Sequence, residues 1–269
     1  MGVALSPSCL RISSPIPLAK SPRIRKNHAT MTTERSRFLT YAQLLRLPNA
    51  CAAMADPFAG WLAVGGGAPV WDLPFLAMAS ACFYTSGVLF SDCFDYDYDC
   101  VEHLGRPLPG GAVPLRTTWT LGAALMIAGL TLAGLAGPVP FGVGVFLGAM
   151  ILFYNAWARR FAALRPLVLG TCHFASFLLG MRCLPLRLAW MPALLGLYTG
   201  SIALLSTHKA GNVALQRIIQ RMLLGIIVVD AIIVILSPFG DWIGALLVLS
   251  LLVPAFVLAK AFTVTERPV

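Results

Sequence analysis

Forty-two consecutive residues, 117–158, carry no charged side chain. As helix that stretch would measure about 60 Å, twice the ~30 Å hydrocarbon thickness of a bilayer. The run therefore reads as two membrane crossings, and Gly137-Pro138-Val139-Pro140 supplies the turn between them. Backbone groups in hydrocarbon must pair within their own segment, so each crossing has to be a helix. The alternation of a β-barrel strand is absent. Composition extends the inference to the whole chain, since 58% of the 269 residues are hydrophobic and only 12% charged. Soluble domains sit near 45–50% and about 25%. A water-soluble α/β enzyme, a secreted disulfide scaffold and a disordered chain are all excluded.

The expected fold class is an all-α, polytopic transmembrane helix bundle. Its spans fall at about 44–64, 73–91, 117–136, 138–157, 166–182, 188–206, 218–237 and 242–262. Of 20 Lys and Arg residues, 18 lie in the tails and alternate loops on one side, and only Arg182 and Arg187 on the other. The positive-inside rule then places both termini in the cytoplasm of a multi-pass integral membrane protein. The same placement explains the net charge of +9 without nucleic acid as a partner. Residues 1–30 contain five basic residues and no acid. They read as a disordered leader, either an organelle transit peptide or the result of a start assigned upstream of Met31. Residues 31–43 read as a cytoplasmic amino-terminal segment and 44–264 as the transmembrane domain. The seven cysteines show no C-x-x-C spacing and read as small apolar residues.

Five of the eleven acidic residues crowd into eleven positions: Asp92, Asp95, Asp97, Asp99 and Glu102. They follow directly on an apolar run. If that helix continues, Ser91, Asp95 and Asp99 share one face, with Asp92 on the adjoining one. Carboxylates this close repel unless a cation compensates them. Hard oxygen donors favour Mg²⁺ or Ca²⁺, and Mg²⁺ takes one or two carboxylates together with a phosphate. A Mg²⁺–diphosphate site at the cytoplasmic mouth of the bundle is the expectation, against a solvated acidic loop. Within the membrane, Asp56 reads as a cavity-lining carboxylate and His173 as a packing residue. Asp230 is open between a functional carboxylate and a neutral carboxyl bonded to a neighbouring helix.

The pattern D-x-x-D-x-x-x-D from Asp92 to Asp99, followed by Arg106-Pro107-Leu108-Pro109, resembles the first aspartate motif of the UbiA superfamily of intramembrane prenyltransferases. Arg46-Leu47-Pro48-Asn49 is similar to that family's first helix, and Tyr154-Asn155-Ala156-Trp157 with Arg159 and Arg160 to the end of its fourth. This last segment and Leu204-Leu205-Ser206 resemble the EboC-like branch. The resemblance implies transfer of a prenyl group from a prenyl diphosphate to a lipophilic or aromatic acceptor, with Mg²⁺, in contact with membrane lipid. It implies Asp92, Asp95 and Asp99 as the catalytic carboxylates, with Ser91, Asp95 and Asp99 on the metal. It implies Asn49, Arg106, Tyr154, Arg159, Arg160 and Lys209 on the substrates, Arg106 serving alternatively as a loop anchor.

The chain departs from the family in three places. Ser91 stands where the family has Asn. A second aspartate motif is expected after the sixth span, yet no Asp or Glu occurs from His103 through Val229, and Ser206-Thr207-His208-Lys209 occupies that place. Eight spans also stand against the family's usual nine, the shortfall falling between Asn212 and Arg221. The alternative is a catalytically impaired protein of the same fold that binds or transports an isoprenoid or other lipophilic metabolite.

Overall fold

The computed structural model describes residues 39–65, 69–102, 106–182, 186–206 and 213–265. The leader 1–30, most of segment 31–43, His208 and Lys209 lie outside the described residues. Among the described residues all regular structure is helical. The helices are α1 (Leu47–Ala63), α2 (Asp72–Phe94), α3 (Tyr96–Glu102), α4 (Leu115–Leu135) and α5 (Pro138–Ala156). There follow α6 (Leu164–Met181), α7 (Trp190–Ser206), α8 (Val213–Leu236), α9 (Trp242–Ser250) and α10 (Leu252–Thr265). Short 3₁₀ turns occupy Ala158–Arg160 and Leu186–Leu188.

Every span read from the sequence coincides with helix. Among the described residues, five stretches are long and apolar enough to cross a membrane by themselves: α2, α4, α5, α6 and residues Leu186–Ser206 around α7. At 17 residues α1 falls just short, with Pro57 inside it. The eighth span, expected as one helix, is two. Leu251 interrupts it, and Pro254 has no N–H to offer the Ser250 carbonyl. The outward faces are apolar, as in Ile127, Leu135, Leu197 and Phe256, each at least 60% exposed. Such faces suit hydrocarbon rather than water.

Helix α1 lies at the centre, packed against α2, α6, α8 and α10. Its approach to α6 is unusually close. A Cβ on Gly60 would collide with the Phe177 carbonyl oxygen, and one on Gly180 with that of Pro57. Small residues that let backbones meet are the usual means of helix association in lipid. A second close joint forms around Phe83 of α2, whose ring lies 3.2 Å from where Cβ atoms on Gly129 and Gly144 would stand. That joint holds α2, α4 and α5 together. At the far end Arg182, in the left-handed region (φ 57°), pairs with Asp72 at the start of α2. Its Nη2 also donates to the Ala136 carbonyl at 2.7 Å. One of the two arginines on the charge-poor side is therefore a staple joining α2, α4 and α6.

Candidate active site

The acidic segment does not form one uninterrupted helix. Asp95 ends α2 with a φ of −91° and ψ of 1°, and α3 begins at Tyr96. The i→i+4 hydrogen bonds nevertheless carry on through the joint, from Asp95 N–H to the Ser91 carbonyl at 3.0 Å and from Asp99 N–H to that of Asp95 at 2.8 Å. Ser91, Asp95 and Asp99 thus remain on successive turns, as the sequence spacing required.

Each of the three carboxylates meets its own arginine from a different part of the chain. Arg46, in the left-handed conformation just before α1, places Nη2 3.0 Å from Asp92 Oδ1. Arg159, on the 3₁₀ turn after α5, places Nη1 2.6 Å from Asp95 Oδ2 and also donates to the Ser91 carbonyl at 3.3 Å. Arg106 donates to Asp99 Oδ2 at 2.6 Å. Arg159 is itself braced, its guanidinium carbon 5.6 Å from the Phe94 ring centre and its carbonyl accepting from Arg165 at 3.0 Å. The side chains of Arg46 and Arg106 are 44% and 46% exposed, so these pairs contribute little stability. Their significance is positional: three cation–anion pairs cluster where α2 gives way to α3, and Arg46 among them also lines the neighbouring cavity.

With the carboxylates drawn to separate arginines, no three His, Cys, Asp or Glu side chains among the described residues converge as a metal cage. The donor chemistry nonetheless fits Mg²⁺. Asp92, Asp95 and Asp99 each commit one oxygen to an arginine and keep the other without a hydrogen bond among the described residues. Hard anionic oxygens on adjacent turns are what Mg²⁺ takes alongside phosphate.

Beside this cluster lies a cavity of about 330 Å³. Arg46, Asn49, Ser91, Tyr154 and Asn155 line its mouth; Ala53, Phe83, Leu147, Ile151, Leu169 and Leu223 its walls. Asp56, Ser80, His173 and Ser176 form its floor. The depth follows from helix rise: seven residues separate Asn49 from Asp56 and eleven separate Ser80 from Ser91, about 10 and 16 Å respectively. At the mouth Asn155 donates to the Gly87 carbonyl at 3.2 Å, while its Oδ1 is buried with no partner. An apolar shaft with charge at one end and hydrogen-bonding groups at the other suits an amphipathic molecule.

Of the residues singled out in the sequence, Asn49, Ser91 and Tyr154 line the cavity, while Asp92, Asp95, Asp99, Arg106 and Arg159 form the charged cluster beside it without lining it. Arg160 is exposed and does not line the cavity, and Lys209 lies outside the described residues. Two residues gain importance. Arg46 was part of a motif without an assigned task and proves to be the partner of Asp92. His173 is not merely a packing residue: its Nδ1 lies 2.8 Å from Asp56 Oδ2, at the cavity floor. The available signal was a histidine and a carboxylate in one membrane domain, where an ionisable side chain without a partner is costly.

The curated relatives most similar in sequence include the digeranylgeranylglyceryl phosphate synthases of Metallosphaera sedula and Methanothrix thermoacetophila. The first is 28% identical over 145 residues, covering 52% of this chain and 50% of its own. The second is 24% identical over 143 residues, covering 53% and 54%. The chain thus spans about half the length of the curated relatives it matches. Among solved structures, a UbiA homologue from Archaeoglobus fulgidus bound to GPP and Mg²⁺ superposes with a TM-score of 0.56 at 16% identity, over 85% of this chain and 88% of that one. The model of the UbiA prenyltransferase family matches residues 52–268, and the chain belongs to that family.

Proposed function

We propose that the protein is an integral-membrane prenyltransferase that moves a prenyl group from a prenyl diphosphate to a lipophilic acceptor with Mg²⁺. The observation that carries this reading is the cluster of three aspartate–arginine pairs beside an apolar cavity whose lining includes Arg46 and Ser91. A magnesium diphosphate needs carboxylates for its metal and guanidinium groups for its phosphates, and this cluster holds both. Asp95 and Asp99 would hold Mg²⁺, supported by Asp92 and Ser91, and the metal would neutralise charge developing on the departing diphosphate. Arg46 and Arg159 stand where they can turn from carboxylate to phosphate, with Asn49 and Tyr154 beside them. Arg106 anchors the loop after α3, and Arg160 and Lys209 provide cytoplasmic charge. The prenyl chain lies along the apolar walls.

The names of the curated relatives make a glyceryl phosphate lipid the first acceptor to try. Membership of the EboC-like branch rests on Tyr154-Asn155-Ala156-Trp157 and Leu204-Leu205-Ser206. The 18-to-2 charge split supports cytoplasmic termini, and a transmembrane domain at 44–264 is part of the same reading. The test is turnover of labelled prenyl diphosphates by the purified protein with a cell lipid extract. Label should enter an extractable lipid only when Mg²⁺ is present. Donor binding without transfer would instead identify an isoprenoid carrier.

A further inference from the structure

The cavity floor contains a histidine–carboxylate couple that the diphosphate site does not use. Asp56 is completely buried and His173 side-chain exposure is 17%. Asp56 on α1 and His173 on α6 are 117 residues apart, yet their side chains meet at 2.8 Å. The glycine contacts of Gly60 and Gly180 bring the two helices together at this level. A carboxylate oxygen can only accept, so His173 Nδ1 donates to it, and in the neutral imidazole Nε2 then keeps a lone pair. Asp230 of α8, fully buried, lies beside Asp56. Both Asp230 oxygens and Asp56 Oδ1 are buried without a donor among the described residues. A proton on Asp230 would give Asp56 Oδ1 its missing partner and leave Asp56 Oδ2 for the imidazole. Ser80 and Ser176, 2.8 Å apart, make the rest of the floor polar.

The distance from mouth to floor matches a reacting array. A nucleophile poised for attack stands about 3–3.5 Å from its carbon. A base stands about 3 Å from the proton's heavy atom. With the diphosphate and its contact at the mouth added, such an array is of the same order as the ~10–16 Å depth estimated from helix rise.

Resting on the transferase reading above, we propose that His173 Nε2 accepts the proton of an acceptor hydroxyl, with Asp56 as its positioning residue, and that the acceptor is therefore an alcohol-bearing lipid. In the step, the C1–O bond of the allylic diphosphate breaks and its electron pair leaves with diphosphate. The acceptor oxygen forms the new C–O bond to C1, and its proton passes to Nε2. The imidazolium so formed is stabilised by Asp56. The titratable and charged groups sharing this space are Asp56, Asp230, Cys172, Tyr84, Tyr154 and Arg46.

The test uses the full chain in lipid nanodiscs with geranyl diphosphate, Mg²⁺ and 1-O-hexadecylglycerol, reading total diphosphate release, which counts attack by the glycerol hydroxyl or by water. His173→Ala should bind geranyl diphosphate within twofold of wild type yet release diphosphate about 10²-fold more slowly. Added imidazole should restore part of the rate. The pH dependence of the rate should differ from that of wild type. His173→Gln, which keeps a hydrogen bond to Asp56, should be as slow as His173→Ala, and Asp56→Asn should lose at least tenfold. A wild-type rate in either His173 variant overturns the proposal, as does a loss that imidazole leaves unchanged with the pH profile intact. Absence of diphosphate release from wild type with every nucleophile refutes the transferase reading itself, a different result from loss in the variants alone.

Discussion

Substituting Gly180 by alanine tests whether the close contact of α1 with α6 builds the cavity floor. The added Cβ would stand 2.7 Å from Pro57 Cα and 2.6 Å from its carbonyl carbon. Ordinary carbon–carbon contact is about 3.5–4.0 Å, so the helices must part by roughly 1 Å. Both colliding groups are backbone, and neither can rotate away. The Asp56–His173 contact would lengthen from 2.8 Å to nearly 4 Å, beyond hydrogen-bond range. Overpacking of this kind costs about 1–3 kcal/mol, and the stranded carboxyl adds about 1–3 kcal/mol. A total near 3 kcal/mol lowers the thermal midpoint by roughly 6–12 °C in a chain of this size. Gly142→Ala is the control, because nothing lies within 4 Å of its Cβ position; in a helix that change is neutral or stabilising by up to about 1 kcal/mol. Thermal unfolding of both variants in nanodiscs, followed by tryptophan fluorescence, gives the comparison. Equal midpoints for Gly180→Ala and Gly142→Ala would refute the account of how the floor is assembled.

Three further outcomes are expected. Asp95→Asn should reduce Mg²⁺-dependent binding of geranyl thiodiphosphate at least tenfold, measured by equilibrium titration, while Asp97→Asn, at an exposed position, should leave it unchanged. Arg182→Ala strands Asp72 and the Ala136 carbonyl and should cost about 2–3 kcal/mol, seen as an earlier thermal midpoint with donor affinity intact. Cysteines introduced at Val70 and Gly110, in a background lacking native cysteines, lie beyond opposite ends of the 23-residue α2 and should react with an impermeant thiol reagent from opposite faces of sealed vesicles.

What could be read along the chain was local. Charge-free runs locate the spans because hydrocarbon leaves the backbone no other solution. The Asp92–Asp99 block stands out because carboxylates are otherwise so scarce. Pairings between distant segments were not legible: Arg46 meets Asp92 across 46 residues and Arg159 meets Asp95 across 64, and no local pattern couples them. The same holds for His173, whose partner is fixed by the glycines of α1 and α6 rather than by its own neighbours. The interruption at Leu251 was hidden by the apolar composition on both sides, since hydropathy reports burial and not continuity of the backbone ladder.

The missing second aspartate motif takes on a specific meaning against this geometry. A site with carboxylates on both sides would surround the diphosphate with metal ions. Here the acids come from one segment alone, Asp92 to Asp99, and the groups facing them are arginines. Asp92, Asp95 and Asp99 are balanced by Arg46, Arg159 and Arg106, so the three pairs carry no net formal charge before any substrate arrives. A cation held by the carboxylates would free guanidinium charge for the phosphates, which would in turn hold that charge in place. Metal and diphosphate binding would thereby be coupled through the same three pairs, each ligand lowering the cost of admitting the other. A single acidic cluster can then recruit a magnesium diphosphate, provided that every carboxylate has a cationic partner able to change its allegiance.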